Sequence, residues 1–357
     1  MGGEDAGDTP PGRSHPEGPR RIRRLLLWSG LAVLLIVAFL AALGAVQRTF
    51  YSAGGFVTAY VQAIAAGDVR DALAMPGADP SSRALTAQGL PARPSRELLR
   101  ADVLPRLTNI RVASDEVLSS GEHRVVVRAD ADGHPVGDEF TVKQTGSVLG
   151  LLPTWSFSRT PLAVAHLDVL HSDTFRVAGH TVDPAASASQ RADRFGAAAD
   201  YLVFAPARYS FSGRSRYVSA APVVSSPRAG ETTDVAVDAQ PTAAFTAAVT
   251  DRLHAFLDGC ARQQVLQPAG CPFGVDIADR VQGLPSWRIV RYPPVRLQAG
   301  ASGWTMARAP GVAHLSATIQ SLFDGTVAPR ETDEPFDVSL SRVTIRPDGS
   351  LDIVVAP

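Results

Sequence analysis

Lysine, cysteine and an excess of charge of either sign are nearly missing from this chain of 357 residues. Lys143 is the only lysine, there are two cysteines, and 34 basic against 35 acidic residues leave a net charge of −1. Proteins that bind nucleic acid carry a basic surface and a high pI, so this balance argues against a nucleic-acid partner. Because every other basic residue is arginine, we interpret the bias as that of a GC-rich genome.

Linear catalytic and metal-binding motifs are also missing. The sequence contains no GxSxG, HExxH, Walker A or GxGxxG pattern, and no CxxC pair that would supply part of a zinc site. Among the eight histidines, only His166, His171 and His180 cluster in sequence, and their spacing matches no metal template. We expect these three at the surface. The sequence therefore predicts no cofactor, no bound metal and no enzymatic activity.

One apolar run, residues 25–46, is long enough to cross a membrane. Its 22 residues include no charged side chain, and a helix of that length reaches about 33 Å, against about 30 Å for the hydrocarbon core. Four arginines lie just before it: Arg20, Arg21, Arg23 and Arg24. Only Arg48 follows closely. A cleaved signal peptide is the alternative, although its apolar core is shorter, about 7–15 residues.

The flanking charge predicts how the chain is oriented. Basic flanks stay on the cytoplasmic side, so residues 1–24, rich in proline, glycine and charge, are predicted to be a disordered cytoplasmic tail. Residues 25–46 are then a transmembrane helix, and the rest of the chain is extracytoplasmic. The predicted location is the cell membrane, in a single pass, with the lipid bilayer as one partner.

Residues 50–158 are predicted to be helices followed by an antiparallel sheet. Phe56, Tyr60 and Ile64 recur every four residues, as one face of a helix requires, and Gly67 ends that helix. Asp68 is a candidate N-cap for the next helix, and a third short helix is predicted over residues 95–104. Strands are predicted at three places: residues 124–128, 139–144 and 154–158, with a turn at residues 132–133 between the first two.

The rest of the chain divides into two predicted parts. Residues 159–238 form a small, mainly β module, with a hairpin whose turn centres on Gly213 and a linker over residues 225–231. Residues 241–357 repeat the helix-then-sheet order, with Thr242 as the N-cap of a helix that runs to about Gly259. The predicted fold class is therefore α+β: a single transmembrane helix, then two roll-like domains that flank a small β module.

Two stretches carry a resemblance to known families. YVQAIAAGDVRDAL, at residues 60–73 and soon after the apolar run, resembles the start of cystatin-like and nuclear-transport-factor-like α+β rolls. LDGCARQQVLQPAGCPFG, at residues 257–274, resembles the cysteine loop of actinobacterial single-pass membrane-anchored proteins of unknown function. The layout is more distantly similar to the teicoplanin-resistance-associated membrane protein family, without its N-terminal zinc ribbon. The resemblance implies roll-like ectodomains and transfers no catalytic residue.

Cys260 and Cys271 are predicted to form a disulfide, because an extracytoplasmic chain lies in an oxidising compartment. Closing a loop of that size contributes about 3 kcal/mol in the chain-entropy model. A catalytic thiol is the alternative. Such a thiol needs a base next to it in space, and the sequence alone leaves open whether the fold supplies one.

Two functions are open at this stage. The first is a non-enzymatic, membrane-anchored extracytoplasmic protein that binds a partner protein or a cell-wall polymer, or acts as an envelope scaffold or sensor. The second is a hydrolase or isomerase that uses a roll-type pocket without a linear motif. Five aromatic residues could line such a pocket or simply fill the core: Phe56, Tyr60, Phe140, Trp155 and Phe157. Filled cores favour the first function, and polar groups converging in an apolar cavity favour the second.

Overall fold

The computed structural model describes residues 27–38, 51–148, 152–187 and 195–356. Residues 27–38 form helix α1, and each of its side chains is exposed. Among the described residues, no helix combines the length and the apolar character needed to cross a bilayer. The predicted span 25–46 extends past α1 at both ends into residues outside the described ranges. The predicted tail 1–24, with its four arginines, also lies outside them.

The first unit is three short helices followed by a four-stranded sheet. The helices are α2 (Ala53–Ala66), α3 (Val69–Ala74) and α4 (Ser82–Ala87), and a 3-10 turn follows at Ala101–Val103. The strands are β1 (Leu107–Val117), β2 (His123–Ala131), β3 (His134–Val148) and β4 (Leu152–Phe157). They lie in sequence order, and each neighbouring pair is antiparallel.

Helix α2 ends where the sequence predicts, and Ser52 begins it. The hydroxyl of Ser52 accepts a hydrogen bond from Gly55 N–H at 3.0 Å, as an N-cap does. Gly67 ends the helix with a φ of 78°, a left-handed conformation that glycine adopts without a steric penalty. Asp68 occupies the N-cap position of α3, but its side chain makes no capping bond.

The predicted helix over residues 95–104 is wrong. Ser95 instead pairs with the middle of the chain: its N–H donates to the carbonyl of Asp200 at 2.7 Å, and its carbonyl accepts from Leu202 N–H at 2.9 Å. These bonds hold the backbone extended, and only the 3-10 turn at Ala101–Val103 is helical. Backbone pairing with a distant strand therefore overrides the local helical pattern.

The middle of the chain forms two β-sheets. Its strands are β5 (Leu162–Leu170), β6 (Phe175–Val177), β7 (His180–Val182), β8 (Gly196–Phe204), β9 (Tyr209–Arg214), β10 (Val218–Ser225), β11 (Thr232–Asp238) and β12 (Gln240–Pro241), with the short helix α5 (Pro184–Ser187) between β7 and β8. One sheet has the order β11-β5-β8 and the other β12-β10-β9-β6-β7. β5 and β11 run parallel. The predicted turn at Gly213 is wrong, because Gly213 lies within β9 and the chain turns at residues 215–217.

Strands β5 and β8 of the β11-β5-β8 sheet have buried apolar residues on both faces. Leu162 and Val164 on β5 belong to the core of the first unit, together with Phe204 on β8. The alternate residues, such as Leu167 and Val203, belong to a second core that continues into the end of the chain. Successive side chains on a strand point to opposite faces, so this sheet separates two cores and contributes to both.

The last unit also has a helix before an antiparallel sheet. Helix α6 (Ala243–Ala261) is followed by β13 (Arg280–Arg291), β14 (Leu297–Ala299), β15 (Trp304–Gln320), β16 (Val327–Ile345) and β17 (Leu351–Ala356). The sheet order is β13-β15-β16-β17, with β14 also paired to β15, and the pairs are antiparallel. The hydroxyl of Thr242 accepts from Phe245 N–H at 3.2 Å and caps α6 as predicted. The α+β class with mostly antiparallel sheets is confirmed, while the domain boundaries and the repeat stay predictions.

Candidate functional site

The interior of the first unit is filled by aromatic rings. Phe157 lies 5.0 Å from both Phe56 and Tyr60 between ring centroids, and Phe140 lies 6.0 Å from Tyr60. Trp155 is also buried, with its indole N–H donated to a main-chain carbonyl at 2.8 Å. The five aromatic residues therefore pack against α2 and the sheet as core.

A polar cleft of about 360 Å³ lies where the first unit meets the middle module. Strands β2 and β3 form one wall, and residues 159–160 and 228–231 form the other. Its lining includes charged side chains of both signs, which are Arg128, Asp138, Glu139, Arg159, Arg228 and Glu231. We take this cleft as the candidate functional site.

The cleft exists because β3 is longer than the strand beside it. Pairing between β3 and β4 starts at Val142 and Phe157 and runs toward the end of β3. Residues 137–141 of β3 therefore have no β4 partner along that edge. The chain leaving β4 crosses the edge instead, where Ser158 N–H donates to the carbonyl of Thr141 at 3.0 Å.

Asp138 is a charged residue at an inward-facing position of β3. It shares its face of the strand with Phe140 and Val142, and it is 8% exposed. One carboxylate oxygen accepts from Glu139 N–H and the other from Ala229 N–H, each at 2.8 Å. Asp138 therefore satisfies an unpaired edge amide of β3 and ties the 226–231 segment to the sheet.

Burial raises the pKa of Asp138 to about 6. The loss of hydration disfavours the ionised carboxylate, and the nearby Glu231 acts in the same direction. The two backbone hydrogen bonds and the positive charge of Arg228 oppose the shift but do not cancel it. A carboxyl group of this kind in a cleft is typical of functional sites, although structural networks also produce it.

Three arginines line the cleft, and the positive charge of one of them, Arg228, acts on Asp138. Within the described residues, the guanidinium groups of Arg128, Arg159 and Arg228 make no hydrogen bond or ion pair, and all three residues are exposed. Gly230, at a φ of 70°, lies under Arg159: a Cβ built there would be 3.7 Å from the guanidinium nitrogens. Glu139, in contrast, forms an ion pair with Arg124 at 2.9 Å.

Cys260 and Cys271 form the predicted disulfide, with their Cα atoms 5.8 Å apart. Cys260 lies in the last turn of α6, and Cys271 lies in the loop that follows. The bond connects the end of the helix to that loop and lies in a different unit from the cleft. The four arginines predicted to set the topology lie outside the described residues.

The three clustered histidines do not form one site. His166 lies 2.8 Å from Asp200, and His171 lies 2.7 Å from Asp238. His180 lies 3.7 Å from a carboxylate oxygen of Glu97 in the first unit. Each is half-buried beside a different carboxylate, so the surface prediction missed these contacts. In the described part of the chain, no group of three or more His, Cys, Asp or Glu residues could hold a metal ion.

A polar cluster on the last sheet was not predicted from the sequence. His314 contacts Asp333 through Nδ1 at 2.6 Å and Glu331 through Nε2 at 2.7 Å. Hydrogen bonds to Asp333 first, and then to Glu331, raise the pKa of His314. Ser316 donates to Glu331 at 2.7 Å rather than to the imidazole. The cluster therefore lacks the nucleophile–base hydrogen bond of an activated serine.

Comparisons with known protein families, with curated proteins and with solved structures give no match to this chain. The candidate site therefore rests on its own geometry. One sequence signal could have revealed it. Val136, Asp138, Phe140 and Val142 alternate along one strand, which places a carboxylate in an otherwise apolar, inward-facing row.

Proposed function

We propose that the protein is a membrane-anchored, extracytoplasmic binding protein that takes a partner protein or a cell-wall polymer into the cleft between its first unit and its middle module. The supporting observation is the cleft itself, whose three arginines make no hydrogen bond or ion pair among the described residues. Cores that are filled, rather than hollow, also favour binding at a surface cleft over catalysis in a roll pocket.

The membrane anchor in this proposal rests on the sequence and on α1. The run 25–46 has transmembrane length and four arginines before it. The described part of that run, residues 27–38, is helical, and its leucine, isoleucine and valine side chains are exposed. An exposed helix that is apolar on all sides is unfavourable in water, and a bilayer is the surrounding that suits it.

The orientation is tested with tags at the two ends of the full chain. Protease added to intact cells stripped of outer wall layers should remove a C-terminal tag and leave an N-terminal tag protected, because basic flanks stay inside. Intact mass of the mature protein should include residues 25–46. A protected C-terminal tag would reverse the orientation, and a mass lacking the run would show that it is a cleaved signal.

The binding function is tested by sedimenting the full chain, in a non-ionic detergent, with purified insoluble cell wall. We expect the wild type to sediment, and Thr141→Trp to stay in solution because the indole fills the cleft. Thr108→Trp, a matched change at an exposed position of β1, should sediment like the wild type. If no protein sediments, a cell-wall polymer is excluded and a protein partner remains. Equal sedimentation of both variants would remove the cleft from the proposal.

A second candidate function is favoured by one observation. Asp138, with a pKa of about 6, has the acidity of a general acid or base that works near neutral pH. The enzyme alternative therefore places a hydrolase or isomerase at this same cleft. Both oxygens of Asp138 already accept backbone N–H groups, which suits a structural carboxylate better. Turnover of a bound fragment by the wild type, lost in Asp138→Asn, would favour the enzyme.

A further inference from the structure

We propose that the cleft recognises an anionic group, a carboxylate or a phosphate, which Arg128, Arg159 and Arg228 hold together. This inference rests on the proposed binding function and names the chemistry of its ligand. It also predicts that the site takes up a proton when the anion binds.

The charges around the cleft favour an anion once their pairing is counted. Glu139 is neutralised by its ion pair with Arg124 at 2.9 Å. The two backbone N–H groups that bond to Asp138 leave the negative charge of its carboxylate in place. Asp138 and Glu231 are then two acidic lining residues against three guanidinium groups. The residual positive charge lies in a concave surface, where the field is stronger than on an open face.

Arginine suits this task better than lysine would. The guanidinium group is planar, remains charged at all relevant pH values, and offers two parallel N–H donors to a carboxylate or phosphate. Two glycines lie beside the arginines. At Gly137 a Cβ would lie 3.0 Å from the carbonyl of Val127 and 3.4 Å from Cγ of Arg128, which is a tight fit. At Gly230 it would lie 3.7 Å from the guanidinium of Arg159, an ordinary packing distance.

Asp138 couples anion binding to protons. The charged and titratable groups around it come from several elements, and they are Tyr60 on α2, Arg128 on β2, Glu139 on β3, Arg159, and the pair Arg228 and Glu231 on the linker. Protonation of Asp138 removes one negative charge from the lining of the cleft, where the charge of Arg228 acts on it. An anion therefore binds more tightly when Asp138 is protonated, and binding in turn raises the affinity of Asp138 for the proton.

The first experiment measures sulfate binding by the full chain in non-ionic detergent, by calorimetry at constant ionic strength and pH 7.5. Sulfate keeps its charge between pH 5 and 8, so only the protein titrates. The double variant Arg159→Gln/Arg228→Gln should bind at least about tenfold more weakly than the wild type. Arg308→Gln, an exposed arginine on β15 far along the chain, should bind like the wild type. Equal affinity in all three proteins overturns the proposal.

The second experiment repeats the wild-type titration at pH 5.0. We expect about fivefold tighter binding than at pH 7.5, as the loss of one nearby charge predicts at an intermediate effective dielectric. The gain should vanish in Asp138→Asn. If that variant does not fold, proton uptake by the wild type on binding sulfate at pH 6 answers the same question. An affinity independent of pH, or binding without proton uptake, overturns the coupling.

The third experiment compares inorganic phosphate with glutarate at pH 7.5. Tighter binding of glutarate assigns the site to carboxylates, as on peptides, and tighter binding of phosphate assigns it to phosphate esters.

The sedimentation test and the sulfate titration together separate the binding function from the anion assignment. If the wild type sediments with cell wall while Arg159→Gln/Arg228→Gln sediments equally well, the binding function stands and the anion assignment falls. If sulfate binds but nothing sediments, the anion site stands and the cell-wall ligand falls.

Discussion

The first unit, residues 51–157, and the last unit, residues 241–356, each place helix before an antiparallel sheet but cover their sheets differently. In the first unit α2 lies over short strands, and a cluster of aromatic rings fills the space beneath it. In the last unit β15 and β16 have 17 and 19 residues, against 15 for β3. A single helix does not reach along such strands.

The loop after α6 covers part of the last sheet that α6 does not reach. Phe273 in this loop lies 5.1 Å from Trp287 and 5.3 Å from Phe336 between ring centroids, so it packs on the last sheet. Trp287 also donates its indole N–H to the carbonyl of Val265 at 2.8 Å. The disulfide joins this covering loop to the helix. One unit thus holds its helix by non-covalent contacts, which are ring packing and a hydrogen bond from Gly54 N–H to Asp115. The other unit adds a covalent bond at the end of its helix.

The largest expected effect tests the aromatic packing of the first unit. Phe157→Ala should lower the free energy of unfolding by about 3–5 kcal/mol, because it removes a ring that contacts three others and leaves a cavity. Urea unfolding of the full chain in detergent measures it. Phe323→Ala, at a position 99% exposed, is the control and should change stability by less than about 0.5 kcal/mol. Similar losses in both variants would contradict the packing account.

The next effect tests the covalent bond of the last unit. Cys260→Ser and Cys271→Ser should each lower stability by about 2–4 kcal/mol, and the double variant by little more, since either change opens the same loop. Phe273→Ala should lose less in the Cys271→Ser background than in the wild type, because both act through the covering loop. Free thiols in the unfolded, unreduced protein would instead revive the catalytic-thiol interpretation.

A third prediction concerns Asp138, a buried carboxyl group that has no buried charged counterpart in residues 241–356. Its pKa in the folded state, about 6, lies above the value near 3.8 expected when unfolded. The folded state therefore binds more protons between about pH 4 and 6, and stability falls as the pH rises through that window. The wild type should lose about 2–3 kcal/mol relative to Asp138→Asn between pH 4 and 7. A constant difference between the two proteins over this range would contradict the raised pKa.

The smallest effects compare the helix N-termini. Ser52→Ala and Thr242→Ala should each lower stability by about 1 kcal/mol, because each removes a hydroxyl that accepts a backbone N–H. Asp68→Ala should change stability by less than about 0.5 kcal/mol, since Asp68 makes no capping bond. Thermal unfolding at pH 7 measures all three. A loss at Asp68 equal to the other two would show that the cap forms in solution.

Features set by local chemistry could be predicted from the sequence. The ends of α2 follow from Ser52 and Gly67, the start of α6 from Thr242, and the disulfide from two cysteines close in sequence. In each case the residue makes its contact within a few turns of its own helix or loop. No knowledge of distant strands is needed to place it.

Features set by distant contacts could not be predicted. Ser95 has the pattern of a helix start, but its backbone bonds to Asp200 and Leu202 more than 100 residues away. Strand β1 lacks apolar alternation, because it is an edge strand whose two faces are mostly exposed. The cleft joins Asp138 to Ala229 across 91 positions. Its arginines come from three separate segments, which only the folded chain brings together.

Strands β5 and β8, with buried apolar side chains on both faces, bear on how the chain was assembled in evolution. A module with one apolar face can be gained or lost by recombination, because its removal exposes nothing that its neighbour had buried. Removal of either flanking unit here would expose the row of Leu162 and Val164 or the row of Leu167 and Val203. We therefore expect the three parts to be inherited together, and any homologue that lacks one of them to carry polar residues on the corresponding face.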